Sequence, residues 1–171
     1  MSPAKQAKKR LFRVRGSAIH GRGVFAATTI PRGTRIVEYK GERISHREAD
    51  ARHEKSNNDP DAIVLLFIVD ENTVIDAGVN GNSARFINHS CNPNCEAVED
   101  ERHIFIESIR RIAENEELTY DYHLDLDEET DGNGNLLYPC NCGSKKCRGT
   151  MAEPKPRRRG TSKKRKTPSK K

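Results

Sequence analysis

The feature that most constrains the fold of this chain is a series of short apolar stretches, each broken by Gly, Pro or a charged turn. Stretches of this length are typical of short β-strands, and none is long enough to form an extended amphipathic helix. The predicted strands are LFRVRGS (11–17), GVFAAT (23–28), TRIVEY (34–39), AIVLLFIVD (62–70), ENTVIDA (71–77), HIFIESIRRI (103–112) and ELTYDY (117–122). The sequence therefore predicts a mainly β domain built from small sheets.

Two local patterns refine this prediction. The polar segment 43–56 is compatible with a helix, and the breakers at 57–60 end it. The continuous apolar run 62–70 predicts a buried strand, and 71–77 is its expected hairpin partner. A strong turn signal follows at 131–135.

Charge is distributed unevenly along the 171 residues. The net charge is +6, yet residues 153–171 hold ten Lys or Arg and one Glu, and residues 1–10 hold four Lys or Arg and no acid. The stretch 11–152 is therefore acidic, with 17 basic and 24 acidic residues. An acidic domain is suited to attract a basic peptide and unsuited to bind nucleic acid itself.

The chain also has no apolar run that could span a membrane and no apolar signal-peptide core, so we expect an intracellular protein.

The five cysteines predict a metal site. Their number is odd, and disulfides are not expected in an intracellular chain. The segment PCNCGSKKCRG places Cys140, Cys142 and Cys147 so that three thiolates can face one ion, with Gly143 allowing a tight turn. Closed tetrahedral zinc takes four ligands, so Cys91 or Cys95 must supply the fourth. The competing interpretation is a set of unrelated reduced cysteines.

Three further segments carry candidate ligand-binding groups. RFINHSCNPN (85–94) crowds hydrogen-bonding side chains into a short loop, which favours a ligand site over a simple turn. ELTYDY places Tyr120 and Tyr122 on one face, a pattern that ordinary core packing also produces. HGRGVFA (20–26) contains two glycines that permit close approach of the backbone to a ligand, although such turns are common.

Taken together, these segments resemble the SET-domain family from about Ser17 to Gly149. SAIHGRGVFA resembles its first cofactor motif, EYKGE (38–42) its next strand and turn, RFINHSCNPN and ELTYDY its signature motifs, and PCNCGSKKCRG its post-SET zinc segment. The resemblance implies a fold of several short curved sheets with a C-terminal knot-like crossing and a small zinc-bound post-SET loop. The expected division is a disordered basic arm at 1–10, a SET domain at 11–130, a post-SET zinc segment at 131–152 and a disordered basic tail at 153–171.

The resemblance also implies an activity and its residues. Members transfer a methyl group from S-adenosylmethionine to a protein lysine that enters through a narrow channel opposite the cofactor. Tyr122 and Tyr120 correspond to the catalytic tyrosines. The implied cofactor-binding residues are Arg22, Gly23, Tyr39, Arg85, Phe86, Asn88, His89, Tyr122 and Tyr138. The implied ligands of a structural zinc are Cys91, Cys140, Cys142 and Cys147.

Two positions bear on the product. Tyr120 occupies the position where tyrosine resembles mono- or dimethylating members, because its hydroxyl and a water occupy room that a larger amine needs. Leu65 stands where many members carry a channel tyrosine, which weakens this prediction. The absence of a cysteine-rich segment before the domain resembles compact, stand-alone bacterial members.

The expected partners follow from charge. We expect a lysine-containing basic substrate, such as a histone or histone-like protein, a monomer, and contact of the 153–171 tail with DNA or RNA. The tail could instead be a solvated segment, a nuclear-targeting segment or a self-methylated one. Expected locations are the cytoplasm or nucleoid of a bacterium, or the nucleus and chromatin of a eukaryotic cell or host. The rival functions are a catalytically silent SET-like module that binds basic tails and a zinc-containing nucleoid-associated protein, but intact Asn88, His89 and Tyr122 argue against both.

Overall fold

The computed structural model describes residues 10–56, 65–124, 136 and 138–153. Most of the predicted arm and tail therefore lies outside the described residues. The breakers at 57–60, the turn at 131–135 and the predicted boundary at 130/131 also lie outside them.

Within the described residues the chain forms ten strands, one α-helix and one short 3-10 helix. In chain order these elements are β1 (Phe12–Gly16), β2 (Arg22–Ala26), β3 (Arg35–Tyr39), β4 (Glu42–Ile44), α1 (His46–Ser56), β5 (Leu66–Asp70), β6 (Thr73–Asp76), the 3-10 helix (Ser83–Phe86), β7 (Asn88–His89), β8 (Cys95–Asp100), β9 (His103–Ser108) and β10 (Glu117–Tyr120).

The strands form three small sheets, in the orders β1-β2-β10-β7, β3-β9-β8 and β4-β6-β5. All pairs are antiparallel except β7 with β10, in which Asn88 lies opposite Thr119 and His89 opposite Tyr120. The predicted mainly β domain of small sheets is confirmed. The parallel pair places RFINHSC beside ELTYDY, as the resemblance implied.

The run 62–70 was predicted to be a buried strand; its described part does contain a strand, but the prediction of burial was wrong. The observed strand β5 is an edge strand, and Ile68 is 66% exposed. Its hairpin partner β6 is the central strand and is buried along its whole length. An apolar run indicates a strand, but only pairing on both sides buries one. Residues 62–64 lie outside the described part of the chain.

The helix α1 begins later than the segment that predicted it, because residues 43–44 belong to β4. Ser45 caps the helix: its Oγ accepts the N–H of Glu48 at 3.3 Å. Arg52 then ties α1 to the sheet, since its guanidinium bonds Glu48 at 2.8 Å, Glu42 at 2.7 Å and Asp76 at 2.6 Å. The helix is thereby fixed beside β4 and β6.

The sheets share one core of buried apolar side chains, drawn mainly from β2, β6, β9 and β10. Fully buried members include Val24, Ile30, Ile87, Ile106, Ile112 and Leu118. This core fixes the ends of β7 and β10, where the signature motifs lie. No helix among the described residues is long and apolar enough to cross a membrane.

Candidate functional site

An aromatic cluster forms the floor of a groove. Tyr120 ends β10 and Tyr122 follows two residues later, with ring centroids 4.8 Å apart. The Phe67 ring lies 6.4 Å from that of Tyr120 and 5.3 Å from that of Tyr39. The prediction that the two tyrosines share one face holds, although Tyr122 lies just beyond the strand.

The groove above this floor has a volume of about 800 Å³. Its walls come from α1, β5, β8 and the segment that follows β10. Besides the aromatic floor, the wall residues include His46, Asp50, His53, Leu66, Ile68, Glu96, Ala97, Asp121, His123, Leu124 and Tyr138. The groove is therefore apolar and aromatic at its base and carries carboxylates and imidazoles on its walls.

The two tyrosine hydroxyls have different environments. The Tyr122 Oη donates a hydrogen bond to the carbonyl oxygen of Ile87 at 2.8 Å. The Tyr120 hydroxyl has no hydrogen-bond partner among the described residues, and Tyr120 lines the groove. Burial raises the pKa of both phenols above the usual value, so both stay protonated at neutral pH.

Asn88 connects the glycine-containing segment 20–26 to β10 through side-chain hydrogen bonds. Its side-chain amide donates to the carbonyl oxygens of His20 at 3.3 Å and Arg22 at 3.1 Å, and to Glu117 Oε1 at 2.9 Å. Glu117 also accepts the hydroxyl of Ser17 at 2.8 Å. A Cβ on Gly23 would lie 2.2 Å from Glu117 Oε1 and 2.9 Å from Ser17 Cβ, so a larger residue there would displace the Glu117 side chain from this packing. Glu117 begins the ELTYDY motif, but its role could not be predicted from sequence because its partners Ser17 and Asn88 lie far away in the chain.

Arg22, Phe86 and Arg85 form a stack beside this segment. The guanidinium carbons of Arg22 and Arg85 lie 3.7 and 4.7 Å from the Phe86 ring centroid. The backbone of the adjacent turn is exposed, and Gly21, at φ 43°, has open space where a side chain would project. Exposed peptide groups next to a cationic and aromatic stack fit a ligand with a planar base and polar groups, as S-adenosylmethionine has.

Tyr39 and Tyr138, which the resemblance placed with the cofactor residues, both line the groove. Tyr39 donates its hydroxyl to the Leu65 carbonyl oxygen at 3.1 Å. The Tyr138 hydroxyl lies 2.7 Å from His53 Nε2. Tyr138 has φ 52°, a left-handed conformation that is rare for a bulky residue and often marks functional sites. Both residues thus line the groove, and the charge of Arg85, a member of the stack around Phe86, acts on Tyr39.

His89 links the aromatic site to the cysteines. The backbone N–H of Tyr122 donates to His89 Nδ1 at 3.1 Å, so that nitrogen is an acceptor and the proton resides on Nε2. Nε2 then donates to Cys91 Sγ at 3.3 Å. Burial lowers the pKa of His89 to about 4, so the ring is neutral. The approach of Asp121 to Nδ1 at 3.5 Å is therefore not an ion pair.

Four cysteines converge as the resemblance implied. The sulfurs of Cys91, Cys140, Cys142 and Cys147 all lie within 4.8 Å of one another. Cys91 Sγ and Cys140 Sγ are 3.6 Å apart, close to the roughly 3.8 Å edge of a tetrahedron with Zn–S bonds of about 2.3 Å. Gly143 has φ 67°, as its predicted turn requires. This donor set fits a structural zinc ion.

Cys95 lies apart from this cluster. It is 1% exposed, its thiol donates to Asn94 Oδ1 at 3.4 Å, and burial raises its pKa to about 12. Cys95 is thus a neutral core thiol. Between the two alternatives that spacing left open for the fourth ligand, the structure selects Cys91.

Arg148 joins the cysteine cluster to the end of β10. Its backbone N–H donates to Cys91 Sγ at 3.3 Å, and its guanidinium bonds both Asp121 oxygens at 2.6 and 2.9 Å. Asp121 lies between Tyr120 and Tyr122. Both residues lie within segments that the sequence singled out, ELTYDY and PCNCGSKKCRG, but their pairing could not be predicted because they are 27 positions apart in the chain.

The loop 85–94 is held by its own polar groups. Asn94, 2% exposed, donates to Glu116 Oε1 at 3.0 Å and to the Glu117 carbonyl oxygen at 2.7 Å, and it accepts the N–H of Thr119 at 2.9 Å. The Asn92 N–H donates to Ser90 Oγ at 3.1 Å. The crowding of polar residues in this loop therefore serves structure as well as any ligand.

Comparisons with known proteins agree with this geometry. A family model described as the SET domain matches residues 21–123. Human histone-lysine N-methyltransferase 2B is 43% identical over 148 residues, covering 84% of this chain and 5% of that protein. The histone-lysine N-methyltransferase trithorax of Drosophila virilis is 42% identical over 136 residues, covering 77% and 3%. The H3 lysine-4 specific histone-lysine N-methyltransferase of Emericella nidulans is 43% identical over 148 residues, covering 84% and 12%.

The chain thus spans only 3% to 12% of the length of these relatives. The family model nevertheless matches more than half of the chain, and the match includes both signature motifs and the groove residues Tyr39, Tyr120 and Tyr122. The chain belongs to the SET-domain family.

Proposed function

We propose that this protein is an S-adenosylmethionine-dependent protein-lysine N-methyltransferase that acts on lysine in basic proteins of the histone or histone-like class. One observation carries the proposal. The ring of Tyr122 lines the groove, while its hydroxyl bonds Ile87, the residue before Asn88, which holds the glycine-containing segment 20–26. Tyr122 therefore stands between a groove suited to a lysine and a surface suited to the methyl donor.

The groove floor suits the side chain that must enter it. A free lysine has a pKa of about 10.4 and is charged at neutral pH, whereas only the neutral amine is a nucleophile. Enclosure among Tyr39, Phe67 and Tyr120 disfavours the charged form and lowers the pKa of the amine. The same rings hold the apolar stem of the side chain and direct its nitrogen toward Tyr122.

S-adenosylmethionine supplies a methyl group on a positively charged sulfur, and the amine lone pair forms the new N–C bond as the C–S electron pair leaves to that sulfur. The Tyr122 hydroxyl donates its proton in a hydrogen bond to the Ile87 carbonyl oxygen, so the lone pairs of the phenol oxygen remain to face the reacting methyl. The raised pKa of the phenol makes it a poor base, and we assign it orientation and electrostatic stabilisation. Solvent in the groove takes the amine proton.

The product should be mono- or dimethyl-lysine. The Tyr120 hydroxyl faces the groove without a protein partner among the described residues, so it can bind a water or the amine itself. Either partner restricts the room for further methyl groups. Leu65 offers no hydroxyl to assist, which leaves Tyr120 to set this limit.

Carboxylates on the walls favour a basic substrate. Asp50 on α1 and Glu96 on β8 are exposed, line the groove and have no ion-pair partner among the described residues. Unpaired carboxylates on α1 and β8 would attract Lys or Arg residues that flank the target lysine. The relatives named histone-lysine N-methyltransferases make histones the first substrates to test.

The cysteine cluster should hold one structural zinc. Its four thiolates leave no open position for a substrate or water, so we assign the ion no chemistry. Its role is to hold residues 138–153 against the end of β10.

Contact of the 153–171 tail with nucleic acid and a monomeric state remain predictions. Location in the nucleus and chromatin, or in a bacterial cytoplasm and nucleoid, also remains a prediction.

Incubation of the purified protein with isotopically labelled S-adenosylmethionine and core histones tests the proposal. We expect label on lysine, identified by acid hydrolysis and mass spectrometry. Calorimetry with S-adenosylmethionine adds a reading that does not depend on the substrate. Absence of cofactor binding would contradict the proposal and favour a silent binding module.

A further inference from the structure

We propose that the groove also accepts a segment of this same chain, the run Lys163–Lys166, as a methylation substrate in cis. This inference rests on the proposed function. It is carried by the position at which the described chain leaves the groove and by the charge on the groove walls.

The described chain ends beside the groove. Leu124, a groove residue, forms a parallel bridge with Ala152, and the Glu153 N–H donates to the Leu124 carbonyl oxygen at 2.9 Å. Leu124 follows Tyr122 by only two residues. The segment that begins at residue 154 therefore starts at the rim of the groove, next to the reacting centre.

The composition of the following segment complements the groove walls. Residues 154–171 contain ten Lys or Arg and no Asp or Glu, and Pro is their only apolar residue type. The unpaired carboxylates of Asp50 and Glu96 face the space that such a segment would enter. Within 163–166 each lysine has a basic neighbour, which is the pattern that two acidic walls favour.

The spacing between the exit and this run allows the chain to fold back. Nine residues lie between Glu153 and Lys163, so an extended chain could place these two residues at most roughly 36 Å apart. Lys155, only two residues from the exit, leaves too little chain to reverse direction. Tethering also gives the run a local concentration on the order of millimolar.

The transfer itself is the one proposed for an external substrate. The neutral Nζ of a tail lysine forms a bond to the methyl carbon, and the bond from that carbon to the donor sulfur breaks with its electron pair staying on sulfur. The extra proton on the methylated amine passes to solvent. The products are the methylated tail and S-adenosylhomocysteine.

The test uses the full chain alone with labelled S-adenosylmethionine, read by intact mass and peptide mapping. We expect label within 163–166, at a fractional rate unchanged over a hundredfold range of protein concentration. A full chain carrying Tyr122→Phe, mixed with the active chain, should stay unlabelled. Label on both chains alike would overturn the assignment in cis. In a parallel reaction that also contains core histones, labelled histone with an unlabelled tail would refute this inference and leave the proposed function standing, whereas no label on either would refute both.

Binding provides a second reading that needs no turnover. Changing Lys163, Lys164 and Lys166 to Gln in the full chain should tighten binding of a fluorescent histone-like peptide severalfold, because the tail no longer competes. The matched control changes the same lysines to Arg, which keeps the charge, and should leave peptide affinity unchanged. If the Gln variant loses duplex DNA binding while its peptide affinity is unchanged, the tail binds nucleic acid instead and the inference fails.

Discussion

Arg148 and Asp121 form a two-bond salt bridge, with Nη1–Oδ2 and Nη2–Oδ1 distances of 2.6 and 2.9 Å. The backbone N–H of Arg148 also donates to Cys91 Sγ, and Asp121 lies between the two groove tyrosines in the sequence. The four-cysteine cluster is thus joined, through Arg148 and Asp121, to the segment that carries the proposed catalytic tyrosines. Residues 138–153 are therefore part of the framework of the candidate site.

Arg148→Ala should lower the free energy of unfolding by about 2 kcal/mol, because it leaves the Asp121 carboxylate, 14% exposed, without its partner. We expect the methylation rate to fall about tenfold or more, since outer contacts of this kind hold reactive groups in place. Urea unfolding and steady-state kinetics measure both effects. Arg102→Ala removes an exposed pair with Asp70 and should change neither by much. Equal effects of the two substitutions would contradict this role.

Zinc should be present at about one ion per chain and should be needed for the segment 138–153 to cover the groove. A strong chelator should release it and reduce the affinity for a basic peptide, as measured by fluorescence anisotropy. Cys91→Ser should reproduce this loss, because it removes one of four ligands. Cys95→Ala changes a cysteine outside the cluster and should retain zinc. Retention of zinc by the Cys91 variant would argue against the four-ligand assignment.

Tyr120→Phe should shift the product toward trimethyl-lysine. The change removes the hydroxyl that faces the groove and the water or amine contact that it provides. Mass spectra of a reacted peptide, recorded at several times, report the distribution of methylation states. Wild-type spectra dominated by trimethyl-lysine would refute the prediction directly.

Asp50→Asn and Glu96→Gln should each raise the KM for a peptide with flanking arginines by about two- to fivefold, with kcat little changed, as expected for exposed charge pairs. The effect should shrink at high salt. Replacing the arginines of the peptide by alanine should remove the difference from wild type. Glu114→Gln, an exposed acid outside the groove, serves as the control. Insensitivity of both groove variants to the flanking arginines would exclude this recognition.

The short strands and the motif order could be predicted from sequence because both are local signals. Turn residues separate the strands, and each signature motif is contiguous. Because these signals are local, they do not show which strands pair, and this explains the errors in the predicted strands. The apolar run before Asp70 predicted a buried strand, but its neighbour β6 takes the central position. The polar strand β8 gave no apolar signal and is defined by pairing with β9.

The site was predictable to a similar degree. Cys140, Cys142 and Cys147 were evident from spacing, whereas choosing Cys91 over Cys95 required either the family resemblance or the fold. The contacts of Asn94 and of Arg148 join residues that are far apart in sequence, so no local sequence pattern predicts these contacts. The same is true of the groove, whose walls come from elements that only the tertiary structure brings together.

The most direct test of the account is methyl transfer by the wild type and by Tyr122→Phe, measured with labelled S-adenosylmethionine and a basic histone peptide. Circular dichroism and zinc content should be the same for both proteins, because the ring remains and only its bond to Ile87 is lost. We predict that the wild type labels lysine and that the variant is slower by about a hundredfold or more. Equal rates for the two folded proteins would contradict the central role assigned to Tyr122.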